Sequence, residues 1–293
     1  MTELPRSTEP PRTTEPPRTT ELPEATHLPE PGRTWRRYVA IGDSFTEGMS
    51  DADPAEENRY IGWADRLAEH LALLAHEAGH DFAYANLAVR GRLLADVIGP
   101  QLDAALALQP DLVSMVGGGN DILRPKADLD SIAARLEEAV LRIRATGADV
   151  LLATPVDPAD APLIRHLRGR HAIHTANIFS IAQKHGCYVI NQWGLHALRD
   201  WRMWAEDRIH MTSEGHRRVA LSALSALGHR TDRADWTAPL PDAPVLSRRE
   251  WAAANAAWAR QHLAPWVQRR LRGESSGDRV VAKRPDLAPV DPR

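Results

Sequence analysis

At 293 residues and 43% hydrophobic content, the chain can bury one large core or two small ones. A formal net charge of −3 offers no whole-chain attraction to nucleic acid or anionic lipid, and no segment approaches the length of a membrane span. The one cysteine, Cys187, excludes an internal disulfide, and the amino terminus lacks the basic start and apolar run of a signal peptide, so the expected compartment is the cytoplasm.

Residues 1–32 form an imperfect hexapeptide repeat, Thr8-Glu9-Pro10-Pro11-Arg12-Thr13 and its neighbours, with almost nothing to bury. Its prolines favour polyproline II, and it reads as a disordered arm. From residue 36 the pattern becomes βα alternation. A strand at 38–41 precedes a helix at 63–77, where Trp63, Leu67, Leu71 and Leu74 recur at spacings of three and four. A strand at 82–89 and a helix at 93–108, kinked at Gly99-Pro100, come next. Strands at 111–116, 149–155 and 188–192 then alternate with helices at 131–144 and 172–184. After a loop at 207–210, a last core helix runs over 213–227 with Ser213 as N-cap. This order predicts a flavodoxin-like three-layer α/β/α sandwich over 36–228, with a parallel five-stranded sheet. Residues 229–246 read as linker and 247–272 as a basic helical tail carrying Trp251, Trp258 and Trp266. Residues 273–293 read as disordered.

Four pieces of the domain carry chemistry. Gly42-Asp43-Ser44 follows an apolar strand, so Ser44 sits where open α/β sheets place their ligands. Its alternative is an ordinary turn. A serine hydroxyl needs a base, and Asp207-Arg208-Ile209-His210 supplies one with its partner: three residues let a carboxylate fold back onto Nδ1, leaving Nε2 for Ser44. Alone, that spacing also fits a surface loop. Asn120, after Gly118-Gly119, could donate its amide to an oxyanion, or simply build a turn. Gly91 offers a backbone N–H after the second strand, or a strand-to-helix turn. In a parallel sheet all four segments share one rim.

Together, Gly42-Asp43-Ser44 with Thr46, Gly91, Gly118-x-Asn120 and Asp207-x-x-His210 resemble the SGNH hydrolases, also called GDSL-type lipases and acylhydrolases. Met211-Thr212-Ser213-Glu214-Gly215-His216 is similar to that family's segment after the catalytic histidine, and the basic Trp/Arg tail resembles cytoplasmic actinobacterial members. The resemblance implies a serine esterase with Ser44 as nucleophile, His210 as base and Asp207 as its partner. It makes the Ser44 backbone N–H, Gly91 and Asn120 the oxyanion donors. The substrate expected is a small-molecule ester; acetylated sugars and thioesters are the alternatives. A different class, a non-catalytic scaffold acting through the arm and tail, is the other alternative.

Other motifs compete less well. Gly273-Glu274-Ser275-Ser276-Gly277 has the spacing of a nucleophile elbow but no strand before it or helix after it. His171 and His174 could share a helix face, yet no carboxylate or cysteine completes a metal site. Gly117-Gly118-Gly119 lacks the lysine of a P-loop, so no cofactor is implied. Trp251 and Trp258 lie seven residues apart among arginines, suited to weak peripheral membrane contact or to docking on the chain's own domain.

Overall fold

Apolar runs too short for helices become strands when neighbours supply their hydrogen bonds, and β1 (Arg37–Ile41) does so at the centre of the sheet. The computed structural model describes residues 32–57, 59–161, 164–242, 247–265 and 276–290; the proposed N-terminal arm lies outside these, apart from Gly32. Beside β1 run β2 (Ala83–Asn86), β3 (Leu112–Met115), β4 (Asp149–Ala153) and β5 (Tyr188–Ile190), all parallel. The order β5-β4-β3-β1-β2 is flavodoxin-like, and the chain reverses direction between β1 and β3, where such sheets bind their ligands. Side chains alternate across the sheet. Tyr38 and Ala40 enter one core with Trp63, Leu67 and Val219, while Val39 and Ile41 enter another with Leu94, Leu136 and Ile178.

Helices cover both faces. A single turn, α1 (Ser44–Glu47), follows β1, and α2 (Gly62–Glu77) buries Trp63, Leu67 and Leu71. The expected kink at Gly99-Pro100 divides the next helix into α3 (Leu94–Asp96), a π-wound turn at Val97–Gln101 and α4 (Leu102–Ala107). A second single turn, α5 (Gly119–Ile122), follows β3. α6 (Leu129–Arg144) begins two residues before its expected start, because Asp128 caps it by accepting from the N–H groups of Asp130 and Ser131. α7 (Arg168–His185) and α8 (Ser213–Ala226) complete the covering layers. Thr212, not Ser213, is the N-cap of α8; the Ser213 hydroxyl donates to Asp51 instead.

Past residue 228 the sequence reading needs correction. Within the expected linker, Asp232 caps α9 (Arg233–Thr237), which buries Trp236, and the Trp236 Nε1 donates to Thr231 Oγ1 at 3.1 Å. Residues 243–246 lie outside the described residues, as does Trp266 of the tail. The tail helix is α10 (Arg248–Trp258), started by a Ser247–Glu250 capping box and followed by a π-wound turn at Ala259–Leu263.

The expected disordered end contains β6 (Arg284–Pro289), which pairs antiparallel with β2 and makes the sheet six-stranded. Its sequence hides this, since two prolines and an aspartate are poor strand formers; an edge strand tolerates them because one side needs no ladder partner. Tertiary contacts fix it instead. Lys283, its side chain largely covered, pairs with Asp65 and donates to Tyr60 O at 2.9 Å, and Arg284 Nε donates to Tyr84 O at 2.9 Å. Among the described residues no helix is long and apolar enough to cross a membrane.

Candidate active site

The Ser44 turn is built by steric exclusion. A side chain on Gly42 would place Cβ 2.6 Å from Thr46 Oγ1, so only glycine lets the strand fold back onto its own helix. Gln101 grips that glycine from both sides, accepting from its N–H at 2.8 Å and donating to its oxygen at 3.0 Å. Gly48 ends α1 in a left-handed conformation, φ 91°, and a Cβ there would lie 2.6 Å from Gly62 Cα. α1 is thus pressed backbone to backbone on the start of α2. Phe45 stacks between Trp63 and His216, with ring centroids 5.6 and 5.8 Å away.

Asp43, the N-cap of α1, accepts from Phe45 N–H at 3.0 Å and is almost fully buried. Burial pushes its carboxyl up to about 6, against the opposing pull of the Phe45 N–H and of His210 across the rim. Asn120 crosses to it. Its Nδ2 donates to Asp43 Oδ2 at 3.1 Å and to Arg92 O at 3.0 Å, joining the turns after β1, β2 and β3. Gly118, at φ 90°, precedes it with His174 packed so close that a Cβ would sit 2.9 Å from Cε1. Gly91, exposed and at φ 74°, is held through its neighbour: Arg90 N–H and Nε donate to Glu47 of α1 at 2.6 and 2.9 Å.

The 207–210 loop closes on itself through Ala205 N–H to His210 O at 2.8 Å. Asp207 Oδ2 meets His210 Nδ1 at 2.6 Å, while its Oδ1 accepts from the N–H groups of Ile209 and His210 at 3.0 Å each. Burial pushes the Asp207 carboxyl up, but these three bonds outweigh it and hold it at about 2. Asp207 is therefore an anion, and its contact with Nδ1 favours the imidazole tautomer with a proton on Nδ1 and a lone pair on Nε2. Among the described residues no hydrogen bond joins Ser44 Oγ to His210; such bonds often tighten only with substrate in place.

Several supports escaped the sequence reading. His216 accepts from Trp63 N–H at 3.2 Å and donates from Nε2 to Met49 O at 3.2 Å, bolting α8 to the Ser44 turn; burial pulls its pKa down and keeps it neutral. Asp51, buried, accepts from Gly62 N–H, Ser213 and both arms of Arg66. Gln101 lay hidden in a helix pattern, where nothing marks one polar residue as facing inward. Only the His216 segment carried a signal, through the run that follows His210.

The remaining candidates are engaged elsewhere. His171 Nδ1 bonds Leu167 O at 3.0 Å and His174 Nε2 bonds Gly117 O at 3.3 Å. No cluster of three metal-ligating side chains occurs among the described residues. Burial pushes the Cys187 thiol up to about 12, unsuited to nucleophilic attack. Of the elbow-like motif, residues 273–275 lie outside the described residues, and Ser276 and Gly277 lie in a turn.

The GDSL-like Lipase/Acylhydrolase family matches residues 40–218. Among solved structures, LAE5, an alpha/beta hydrolase enzyme from the metagenome of Lake Arreo, Spain, is 23% identical with a TM-score of 0.57, over 69% of this chain and 98% of its own. An acetyl xylan esterase from Geobacillus stearothermophilus, Axe2, is 21% identical with a TM-score of 0.56, over 68% of this chain and 98% of its own. TesA is 23% identical with a TM-score of 0.50, over 66% and 98%. At these identities the likeness is one of fold. No curated protein matches the chain in sequence.

Proposed function

The chain belongs to the GDSL-like lipase/acylhydrolase family, and from that premise we propose that it hydrolyses a carboxylic ester through an acyl-enzyme on Ser44. Ser44 Oγ attacks the ester carbonyl as its proton passes to His210 Nε2. The tetrahedral oxyanion is met by the Ser44 and Gly91 backbone N–H groups and by the Asn120 amide. Both Asn120 amide hydrogens are engaged at rest, so the oxyanion takes the place of Arg92 O as an acceptor. Collapse breaks the C–O bond, and His210 returns the proton to the departing alcohol. Water, deprotonated by His210, then cleaves the acyl-serine bond and releases the acid.

The observation that carries this reading is the 2.6 Å contact between His210 Nδ1 and an Asp207 held as an anion. Likeness to an acetyl xylan esterase favours short acyl groups on a saccharide as the substrate, with thioesters the second choice, in keeping with the family's breadth. Labelling with a fluorophosphonate probe, followed by peptide mapping, should find the phosphonate on Ser44 and none in Ser44→Ala. A panel of chromogenic esters from acetyl to palmitoyl, with acetyl-xylan alongside, should show the fastest turnover at acetyl. Label that persists in Ser44→Ala, above all at Ser275, would overturn the nucleophile assignment; no hydrolysis of any ester by a labelled enzyme would remove the esterase reading.

A further inference from the structure

The family match ends at residue 218, yet α10, thirty residues beyond it, reaches the 207–210 loop. Trp258, at the last turn of α10, is buried, and its Nε1 donates to the main-chain oxygen of Asp207 at 3.1 Å. The next residue, Arg208, has φ 57°, a left-handed conformation that side chains resist. Its guanidinium lies 4.9 Å from the ring centre of Trp258 and 5.7 Å from that of Trp201, and Nη1 donates to Asn255 Oδ1 at 2.5 Å. Asn255 and Trp258 are three apart on α10 and share a face. No ion pair to a carboxylate holds Arg208 among the described residues, so stacking and this one amide fix it.

These contacts converge on one peptide group. The Asp207 carboxylate can reach His210 Nδ1 only while the main chain turns sharply at Arg208, and a strained turn persists only when its surroundings over-determine it. Asp207 Oδ1 and the Ala205–His210 bond close the loop from within. From outside, α10 fixes the carbonyl just before the strained residue and the side chain just after its Cα. We propose that Trp258 and Arg208 are positioning residues for the base, so that a helix lying past the family match sets the imidazole's orientation. The proposal rests on His210 being the base of the reaction above.

The test uses the full-length chain with Trp258→Phe, which keeps the ring and loses the N–H, Trp258→Ala, which loses both, and Arg208→Lys, which keeps the charge and loses the planar stack. Proton NMR of the 15N-labelled imidazole reads the Nδ1 hydrogen directly, whether or not a good substrate is in hand; kcat and KM on p-nitrophenyl acetate read its consequence. Trp258→Ala should broaden or erase the Nδ1 resonance and lower kcat about tenfold or more with KM within about twofold, and Trp258→Phe and Arg208→Lys should fall between it and the wild type. If Trp258→Ala does not fold, as judged by near-UV circular dichroism, the other two variants decide. An Nδ1 resonance and a kcat unchanged in the folded variants would overturn the proposal. The two readings fail separately: a lost resonance in an enzyme indifferent to Ser44→Ala supports the clamp and removes the serine chemistry, and an unchanged resonance in a Ser44-dependent enzyme does the reverse.

Discussion

The turn that carries Ser44 and the loop that carries His210 stand on the same rim, but different forces hold them. Around Ser44 volume leads: Gly42, Gly48 and Gly62 sit where a Cβ would collide with neighbouring backbone or side chain, and those contacts, like the hydrogen bonds from Gln101 and Asn120, come from the family-matched domain. Around His210 the constraint is a set of directional contacts, and those from Asn255 and Trp258 come from past residue 218. Steric exclusion keeps its hold even if one of those hydrogen bonds is lost. Directional bonds can be lost one at a time, so the His210 loop is the half of the site that substitution or a shifted tail would disturb by degrees.

The largest effect that separates the two halves should come from Asp207→Asn. It spares the Ser44 turn and removes the anion that fixes the imidazole, and kcat should fall by about a hundredfold or more with KM little changed. Since Asp207 is held at about 2, acid loss of activity above pH 3 must arise elsewhere. An unchanged kcat would take Asp207 out of the mechanism.

On the other half, Asn120→Ala should lower kcat by roughly a hundredfold, about 3 kcal/mol of transition-state stabilisation. Asn120→Asp should be worse, because it sets a second carboxylate against the buried Asp43 as well as against the oxyanion. Were both variants to keep near-native kcat while Gly91 substitutions destroyed it, Asn120 would be a tether between turns and nothing more.

The smallest effect is one of pH on stability. Asp43 titrates at about 6 in the folded chain against 3.8 in the open one, so its contribution is fully present below 3.8 and is lost as pH rises through 6. Between pH 4.5 and 7.5, unfolding free energies from urea titrations should move in favour of Asp43→Asn over the wild type by about 2 kcal/mol. A gap that does not change with pH would mean that Asp43 is not strained by its burial, and that the Ser44 turn carries no electrostatic cost.

What the sequence made legible follows the same division. The five parallel strands announce themselves because Val39, Val113 and Leu151 belong to runs buried on both faces, and α2 and α6 because their apolar residues recur at three and four. Short motifs marked Ser44 and Asn120 because glycines with fixed steric roles flank them. The edge strand was not legible, since Pro285, Asp286 and Pro289 read as a turn-rich tail until Lys283 finds Asp65 and Arg284 finds the β2 backbone. Gln101 was hidden for a related reason, and although Trp258 was legible as a side chain that docks on its own domain, the Asp207 carbonyl it meets was not: each acts through a main-chain group of a residue far off in sequence, and a backbone carbonyl leaves no mark on the residue type that meets it.

β6 also sets a schedule for synthesis. Arg284 pairs with a strand that leaves the ribosome 200 residues earlier, at Tyr84. At about 5–20 residues per second, β2 would wait roughly 10–40 seconds with one side of its backbone unpaired, in a crowded polysome where other nascent copies expose the same edge. The strand that arrives last meets that edge with two prolines, and Lys283 just before it is tied to Asp65, so it serves poorly as a template for further pairing. The chain thus covers the open side of β2 with a segment ill-suited to propagate the sheet, and a ribosome stalled before residue 284 would leave that border open to strangers.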